Sequence, residues 1–133
     1  MTSSSTGQYL IVNLDDCPCS GKTLMKLVRP MIMAILAQGQ RHGYALQREL
    51  EERIVFLDGT PDLSGIYRAL KEMEARGFVE STWETGESGP AKRCYGLTAS
   101  GRDCLAKWRQ TLSIYREQLD AVLSLMNESK PEV

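Results

Sequence analysis

The four cysteines are the side chains of this sequence with the widest choice of chemistry. Cys17 and Cys19 form a close pair around Pro18, whereas Cys94 and Cys104 follow much later in the chain. Four thiolates can hold Zn²⁺ or an iron–sulfur cluster. However, a Cys-x-Cys pair with such distant partners matches no standard ligand spacing, and single cysteines are often buried as small apolar residues. A shared metal or redox site and four unrelated thiols therefore both remain open interpretations.

Other residue patterns give little support for catalysis. The run Ser20–Thr23 resembles the end of a phosphate-binding loop, but that motif needs a glycine where Asp16 stands. The carboxylates of Asp15 and Asp16 would also repel a phosphate. His42 is the only histidine, and no third group is evident that would orient it toward a cysteine nucleophile. We therefore expect no enzymatic activity, and we expect His42 to cap or pack at the start of a helix.

Length and composition are those of an ordinary soluble protein. The chain has 133 residues, of which 42% are apolar and 25% charged, with a net charge of −1. This suits one globular domain with an appended helix. No apolar run approaches the roughly 20 residues of a membrane helix, and no signal peptide is evident. We expect a cytoplasmic protein with reduced thiols and no membrane contact. Because the net charge is slightly negative, DNA binding would require basic residues that are clustered on one face.

The spacing of apolar residues predicts three helices, followed by two strands and a last helix. The three helices are Pro30–Ala37, Tyr44–Ile54 and a segment that runs from an N-cap at Asp62 to a stop at Gly77. The two strands, Phe78–Trp83 and Arg93–Leu97, are joined by a turn that contains glycine and proline. Three helices followed by a two-stranded wing form a winged helix-turn-helix. The predicted fold class is therefore mostly α with a small β-hairpin.

These elements divide the chain into four parts. Residues 1–25 form an N-terminal arm that carries the Cys-Pro-Cys run, and residues 26–98 form the winged helix-turn-helix. A long helix over residues 99–127 follows a cap at Thr98 or Ser100, and residues 128–133 are a tail. The long helix repeats apolar residues at intervals of three and four, which is typical of a seam against a partner helix. The predicted dimer interface consists of Leu105, Trp108, Leu112, Tyr115, Leu119, Val122 and Met126.

The third helix and the wing carry the residues that could contact DNA. The helix has small residues at its beginning, Ser64 and Gly65, followed by Arg68 and Lys71 on its polar face. Small residues allow the helix end to approach a major groove, and cations contact phosphates or base edges. Lys92 and Arg93 stand just after the turn of the wing. Arg68 and Lys71 would be merely solvated on many helices, so only their combination with the cations of the wing indicates DNA binding.

Three runs of sequence together resemble the PadR family of bacterial winged-helix transcriptional regulators. They are Gly39–Leu46, Gly65–Val79 and Arg93–Gly101, in this order. The resemblance implies a dimer that is held by the C-terminal helix and usually represses transcription. It assigns DNA contacts to Tyr44, Tyr67, Arg68, Lys71, Lys92 and Arg93. Members often carry a threonine where this chain has Gly65, so one polar contact to DNA is in doubt.

The resemblance also implies the partners. We expect a homodimer on a palindromic operator in double-stranded DNA. Some similar proteins bind flat aromatic molecules between aromatic side chains of the dimer helices. Trp83 and Trp108 could therefore indicate a small-molecule effector. Trp108 is equally suited to packing in the dimer interface. Two alternatives stay open: a regulator that senses metal or thiol oxidation through its cysteines, and a protein-interaction module that does not bind DNA.

Overall fold

A computed structural model describes residues 26–53, 61–84 and 89–128. The predicted arm of residues 1–25, with Cys17 and Cys19, and most of the predicted tail lie outside these ranges. The elements are α1 (Val28–Gln38), β1 (Arg41–His42), α2 (Gly43–Arg53), α3 (Leu63–Ala75), β2 (Val79–Glu84), β3 (Lys92–Leu97) and α4 (Ala99–Glu128). This order confirms a mostly helical winged fold with a long C-terminal helix. None of the helices within the described ranges has the length and hydropathy that a membrane-spanning segment requires.

The ends of α3 and α4 are set by local hydrogen bonds. The Asp62 carboxylate accepts a hydrogen bond from the Gly65 amide at 2.8 Å, which caps α3 as predicted. Gly77, with φ at +81°, allows the chain to leave the helix in a conformation that L side chains rarely adopt. Thr98 Oγ1 accepts from the Gly101 amide at 3.0 Å and donates to the Gly77 carbonyl at 2.6 Å. Of the two predicted caps, Thr98 is therefore the one used, and Ser100 lies inside α4.

The first helix begins earlier than the sequence predicts. It starts at Val28, which makes Pro30 its third residue and not its first. The amide groups of the first helical turn have no partner within the helix, so proline is tolerated at each of these positions. Composition therefore could not decide which of them Pro30 occupies.

The sheet has three strands, and the sequence predicted only two of them. The strand order is β1–β3–β2, with both pairings antiparallel. His42 lies opposite Cys94 in one pairing, and Thr82 lies opposite Cys94 in the other. β1 has only two residues, which is too short for any alternation of apolar and polar residues to be read. The predicted two-stranded hairpin is thus corrected to a three-stranded sheet.

One apolar core joins the helices to the sheet. Its side chains are almost fully buried and follow the predicted stripes of the first three helices, with contributions from β2 and β3. The core contains Ile32, Met33, Ile35, Leu36, Leu46, Leu50, Ile66, Leu70, Met73, Val79 and Tyr95. Tyr67 of α3 lies outside this core and is 41% exposed.

The long helix α4 has two halves with different surroundings. In the docked half, residues 99–112, Leu105 and Trp108 pack against the core of their own chain. In the outer half, residues 113–128, the predicted interface residues Leu119, Val122 and Met126 are 45%, 47% and 62% exposed. The predicted seam thus begins on the chain's own domain and continues into solvent.

Candidate nucleic-acid interface

A groove of about 1060 Å³ separates α3 from the wing formed by β2 and β3. The beginning of α2 closes one side of it. Most of the predicted DNA-contacting side chains line this groove, together with two further aromatic residues. The lining comprises His42, Tyr44, Ala45, Tyr67, Lys71, Glu74, Ala75, Trp83, Ala91, Lys92, Arg93 and Tyr95.

The beginning of α3 is tightly built around its cap. Ser64 and Arg68 are exposed on this helix, outside the groove lining. A β carbon at Gly65 would stand 3.2 Å from Asp62 Oδ1, closer than most such contacts. The chain therefore replaces the threonine that its resemblance suggests with a residue that leaves room for the cap carboxylate. This close contact gives a physical reason for a glycine at this position, where the backbone N–H bonds to the Asp62 cap.

Two tyrosines connect α2 and α3 at the mouth of the groove. Tyr44 is 60% exposed on the first turn of α2. A β carbon at Gly43 would stand 2.5 Å from the Tyr67 ring, so only glycine permits this close approach of α2 and Tyr67. The Tyr67 ring also lies 6.4 Å from the ring of Tyr95, centroid to centroid. Sequence reasoning missed Gly43, because a glycine at a helix start gives no sign of what approaches it.

Arg93 is held by its own chain. Its guanidinium donates to Ser81 Oγ at 2.9 Å and to Glu74 Oε1 at 3.1 Å. It also lies over the rings of Trp83 and Tyr95, at 5.8 and 5.6 Å from their centroids. Arg93 therefore ties β3 to α3 and stacks on aromatic faces, as guanidinium groups commonly do. Its predicted contact with DNA stays a prediction, and this clamp is a role that the sequence did not indicate.

Three other cations of α3 and the wing, unlike Arg93, have no acidic partner in the described ranges. Arg68, Lys71 and Lys92 are exposed, and within the described ranges none of them forms an ion pair. By contrast, Arg29 pairs with Glu72, and Arg41 pairs with Glu49 at 2.8 Å. The structure thus places three cations without an ion pair partner in the described ranges on the α3 and wing surface of a chain whose net charge is −1.

The two described cysteines lie in different surroundings. Cys94 is buried in the sheet, with Sγ 3.6 Å from Gln40 Oε1. Burial, assisted by the nearby Glu84 carboxylate, raises the pKa of Cys94 above its ordinary value. A higher pKa lowers the fraction of thiolate, which makes this thiol a weaker nucleophile. Cys104 is half-buried against the core on α4, and the predicted partners Cys17 and Cys19 lie outside the described residues.

A second, smaller groove of about 400 Å³ lies between α1 and the docked half of α4. Trp108 and Leu112 line it, together with Met31 of α1. Trp83, the other tryptophan of the effector hypothesis, is 64% exposed and lines the larger groove. The two tryptophans therefore do not share a site within one chain, and a small-molecule effector stays a prediction.

Residues 32–107 match the family model described as "Transcriptional regulator PadR-like family". The chain is 32% identical over 77 residues to a protein of Mycobacterium tuberculosis described as "Probable transcriptional regulator Rv1176c". The match covers 58% of this chain and 40% of that protein. This chain thus spans about two fifths of the length of that relative.

Solved structures give the same comparison in three dimensions. A PadR family transcription regulator from Clostridium difficile superposes with a TM-score of 0.66 at 25% identity, over 74% of this chain and 99% of that one. Bacillus subtilis PadR, whose structure was solved in complex with operator DNA, superposes with a TM-score of 0.55 at 24% identity, over 62% of this chain and 46% of that one. At 24% identity, the likeness to Bacillus subtilis PadR shows a shared fold.

Proposed function

This chain belongs to the PadR-like family of transcriptional regulators, and on that basis we propose that it is a homodimeric repressor that binds a palindromic DNA operator in the cytoplasm. The family is one of regulators and not of enzymes, which confirms the expectation that the chain has no catalytic function. The relative from Bacillus subtilis binds operator DNA, and its fold is shared by this chain.

The observation that carries this proposal is a set of three exposed cations on α3 and the wing that form no ion pair within the described ranges; Lys71 and Lys92 line the groove, and Arg68 lies outside its lining. Arg68 and Lys71 lie one turn apart on α3, and Lys92 lies on the facing strand. In this proposal α3 enters the major groove with the Ser64 end first, and Lys92 reaches the flanking backbone. Tyr44 and Tyr67 then stand beside the phosphates, where a phenol hydroxyl can donate a hydrogen bond.

The outer half of α4 supports the dimer. Its exposed apolar face would be an unusual surface for an isolated helix in water, and a second copy would cover it. A two-fold dimer presents two α3 helices, so two half-sites about one helical turn apart would be bound together. Binding would then depend on dimerisation more strongly than on any single contact with DNA.

The test is a set of alanine variants titrated with promoter DNA at several salt concentrations. Lys71→Ala and Lys92→Ala should weaken binding on every sequence, and each should reduce the salt slope by roughly 1 if it contacts phosphate. Arg68→Ala should cost about 1–3 kcal/mol of binding and relax specificity if it contacts a base. Lys107→Ala, an exposed lysine on α4, is the matched control and should change neither quantity.

The Arg93 clamp provides an internal comparison. Arg93→Ala should lower the thermal midpoint as well as DNA affinity, because it removes the link between β3 and α3. The variants of Arg68, Lys71 and Lys92 should leave the thermal midpoint unchanged. Wild-type affinity and salt slope in all three of these variants would contradict docking of DNA on α3 and the wing. If the wild-type protein showed no salt-dependent DNA binding at all, an interaction module that does not bind DNA would be favoured.

A further inference from the structure

The structure assigns a transition-metal site to His42, Glu84 and Cys94, at the base of the wing. The ligand atoms of these side chains, an imidazole nitrogen, a carboxylate oxygen and a thiol sulfur, all lie within 4.8 Å of one another. This set differs from the four-cysteine site that the sequence raised. Of those cysteines, Cys94 belongs to this group, whereas Cys104 packs on α4 against the core. The inference does not depend on the proposed function.

The sheet register brings the three side chains together. His42 on β1 lies directly opposite Cys94 on β3, and Thr82 on β2 lies opposite Cys94 from the other side. Glu84 follows Thr82 by two residues, so it projects from the same face of the sheet. One ligand thus comes from each of the three strands. No sequence pattern of closely spaced ligands could have indicated this site, because β1 itself was not predicted.

The distances suit a small tetrahedral ion. His42 Nε2 and Glu84 Oε1 are 3.3 Å apart. Two ligand atoms that each lie about 2.0–2.1 Å from a tetrahedral Zn²⁺ are about 3.4 Å apart. The distance between His42 Nε2 and Glu84 Oε1 already has this value. A nitrogen and a sulfur ligand stand about 3.6 Å apart in the same geometry, so the distance from Cys94 Sγ to the imidazole nitrogen, at most 4.8 Å, would need to shorten by at most about 1.2 Å. Three protein ligands leave the fourth position to water.

His42 supplies a second, independent observation. Its Nε2 is a buried atom without an aligned hydrogen-bond partner among the described residues, even though the Glu84 carboxylate is adjacent. A buried imidazole nitrogen normally has a partner, and one that faces a thiol and a carboxylate without one is suited to coordinate a metal. The Gln40 side chain lies 3.6 Å from Cys94 Sγ and packs over Gly96, where a β carbon would stand 3.3 Å from it. This contact holds Gln40 beside the sulfur.

The donor set selects the class of ion. A thiolate and an imidazole with one carboxylate favour Zn²⁺ and similar transition metals over Mg²⁺ and Ca²⁺, which prefer oxygen ligands throughout. A bound ion would join β1, and with it the start of α2 at Gly43, to both strands of the wing. Metal should therefore stabilise the folded chain, because it binds the native arrangement and not the unfolded one.

The experiment uses the full chain with Cys17→Ser and Cys19→Ser, so that the N-terminal thiols cannot supply ligands. After treatment with a chelator and its removal, this protein should bind one Co²⁺ per chain with a thiolate-to-metal charge-transfer band. Zn²⁺ should displace the Co²⁺ and raise the thermal midpoint. Cys94→Ser should abolish the band, and His42→Gln or Glu84→Gln should weaken Co²⁺ binding by at least about tenfold, the scale seen even for outer-shell partners. Cys104→Ala is the matched control and should keep both the band and the affinity.

The outcomes separate cleanly. Failure of the Cys17→Ser, Cys19→Ser protein to bind Co²⁺ would overturn the assignment. It would also be overturned by a charge-transfer band that survives Cys94→Ser or disappears with Cys104→Ala. Because the band and its stoichiometry are measured on the folded parent protein, a poorly folded ligand variant would not leave the site undecided. Circular dichroism of each variant shows which of them are folded.

Discussion

The docked and outer halves of α4 have the same spacing of apolar residues but opposite surroundings. Leu105 and Trp108 in the docked half are packed against the core of their own chain. Leu119 and Val122 in the outer half are close to half exposed. A regular apolar seam therefore identifies residues that need an apolar neighbour. The spacing alone does not indicate whether that neighbour belongs to the same chain or to a partner chain.

The exposed apolar surface of the outer half is also broader than the seam. Ile114 and Leu123 are 51% and 55% exposed, although neither belongs to the predicted three-and-four pattern. A strict seam is narrow, whereas a helix that contacts two neighbours has a wider apolar face. In the proposed dimer, the partner would therefore cover more than one edge of this segment.

The largest effect is expected from charges on the outer half. Leu119→Asp with Val122→Asp should raise the dimer dissociation constant by at least about 1000-fold, since each would bury an unpaired carboxylate in the interface. Sedimentation should then give folded monomers, because these residues contribute little to the core of their own chain. Ser124→Asp with Asn127→Asp adds the same charge away from the seam, on the polar side of the helix, and should leave a dimer. Equal behaviour of the two double variants would place the interface elsewhere.

A smaller effect is expected where the docked half touches the sheet. A β carbon at Gly101 would stand 2.1 Å from the Phe78 carbonyl oxygen and 2.6 Å from Leu97 Cδ1. Gly101→Ala should therefore lower the free energy of unfolding by about 3 kcal/mol, measured by urea denaturation, as in an overpacked core. On a helix without this contact, the same change would stabilise by up to about 1 kcal/mol. The sign of the change thus tests whether α4 is docked.

The smallest effect is expected at the cap of α4. Thr98→Ala should lower the free energy of unfolding by about 1 kcal/mol, because it removes the hydroxyl that bonds to the Gly101 amide and the Gly77 carbonyl. Ser100→Ala should have almost no effect on the same denaturation curve. If the two variants were equally destabilised, the cap would not be the hydroxyl of Thr98. Both variants should remain dimers, since both positions lie at the N-terminal end of α4 and not in its outer half.

Local chemistry was predicted well from the sequence, and contacts between distant residues were not. Asp62 and Gly77 mark the ends of α3 as expected, because a cap depends on residues within one turn. The choice between Thr98 and Ser100 could not be made, since it depends on the Gly77 carbonyl, which is distant in the chain. Arg93 was predicted as a DNA contact from its position after the turn, but its pairing with Glu74 arises from the packing of β3 on α3.

Periodicity and short-range motifs were sufficient to predict the order of the helices and of the two wing strands, the core stripes of the first three helices and the family. Only the folded structure shows that β1 joins the sheet and that the docked half of α4 packs against the core of its own chain. It also shows that His42, Glu84 and Cys94 share one face of that sheet. Strand register and helix docking bring together side chains that are far apart along the chain, and a one-residue shift in register would place a different set on that face.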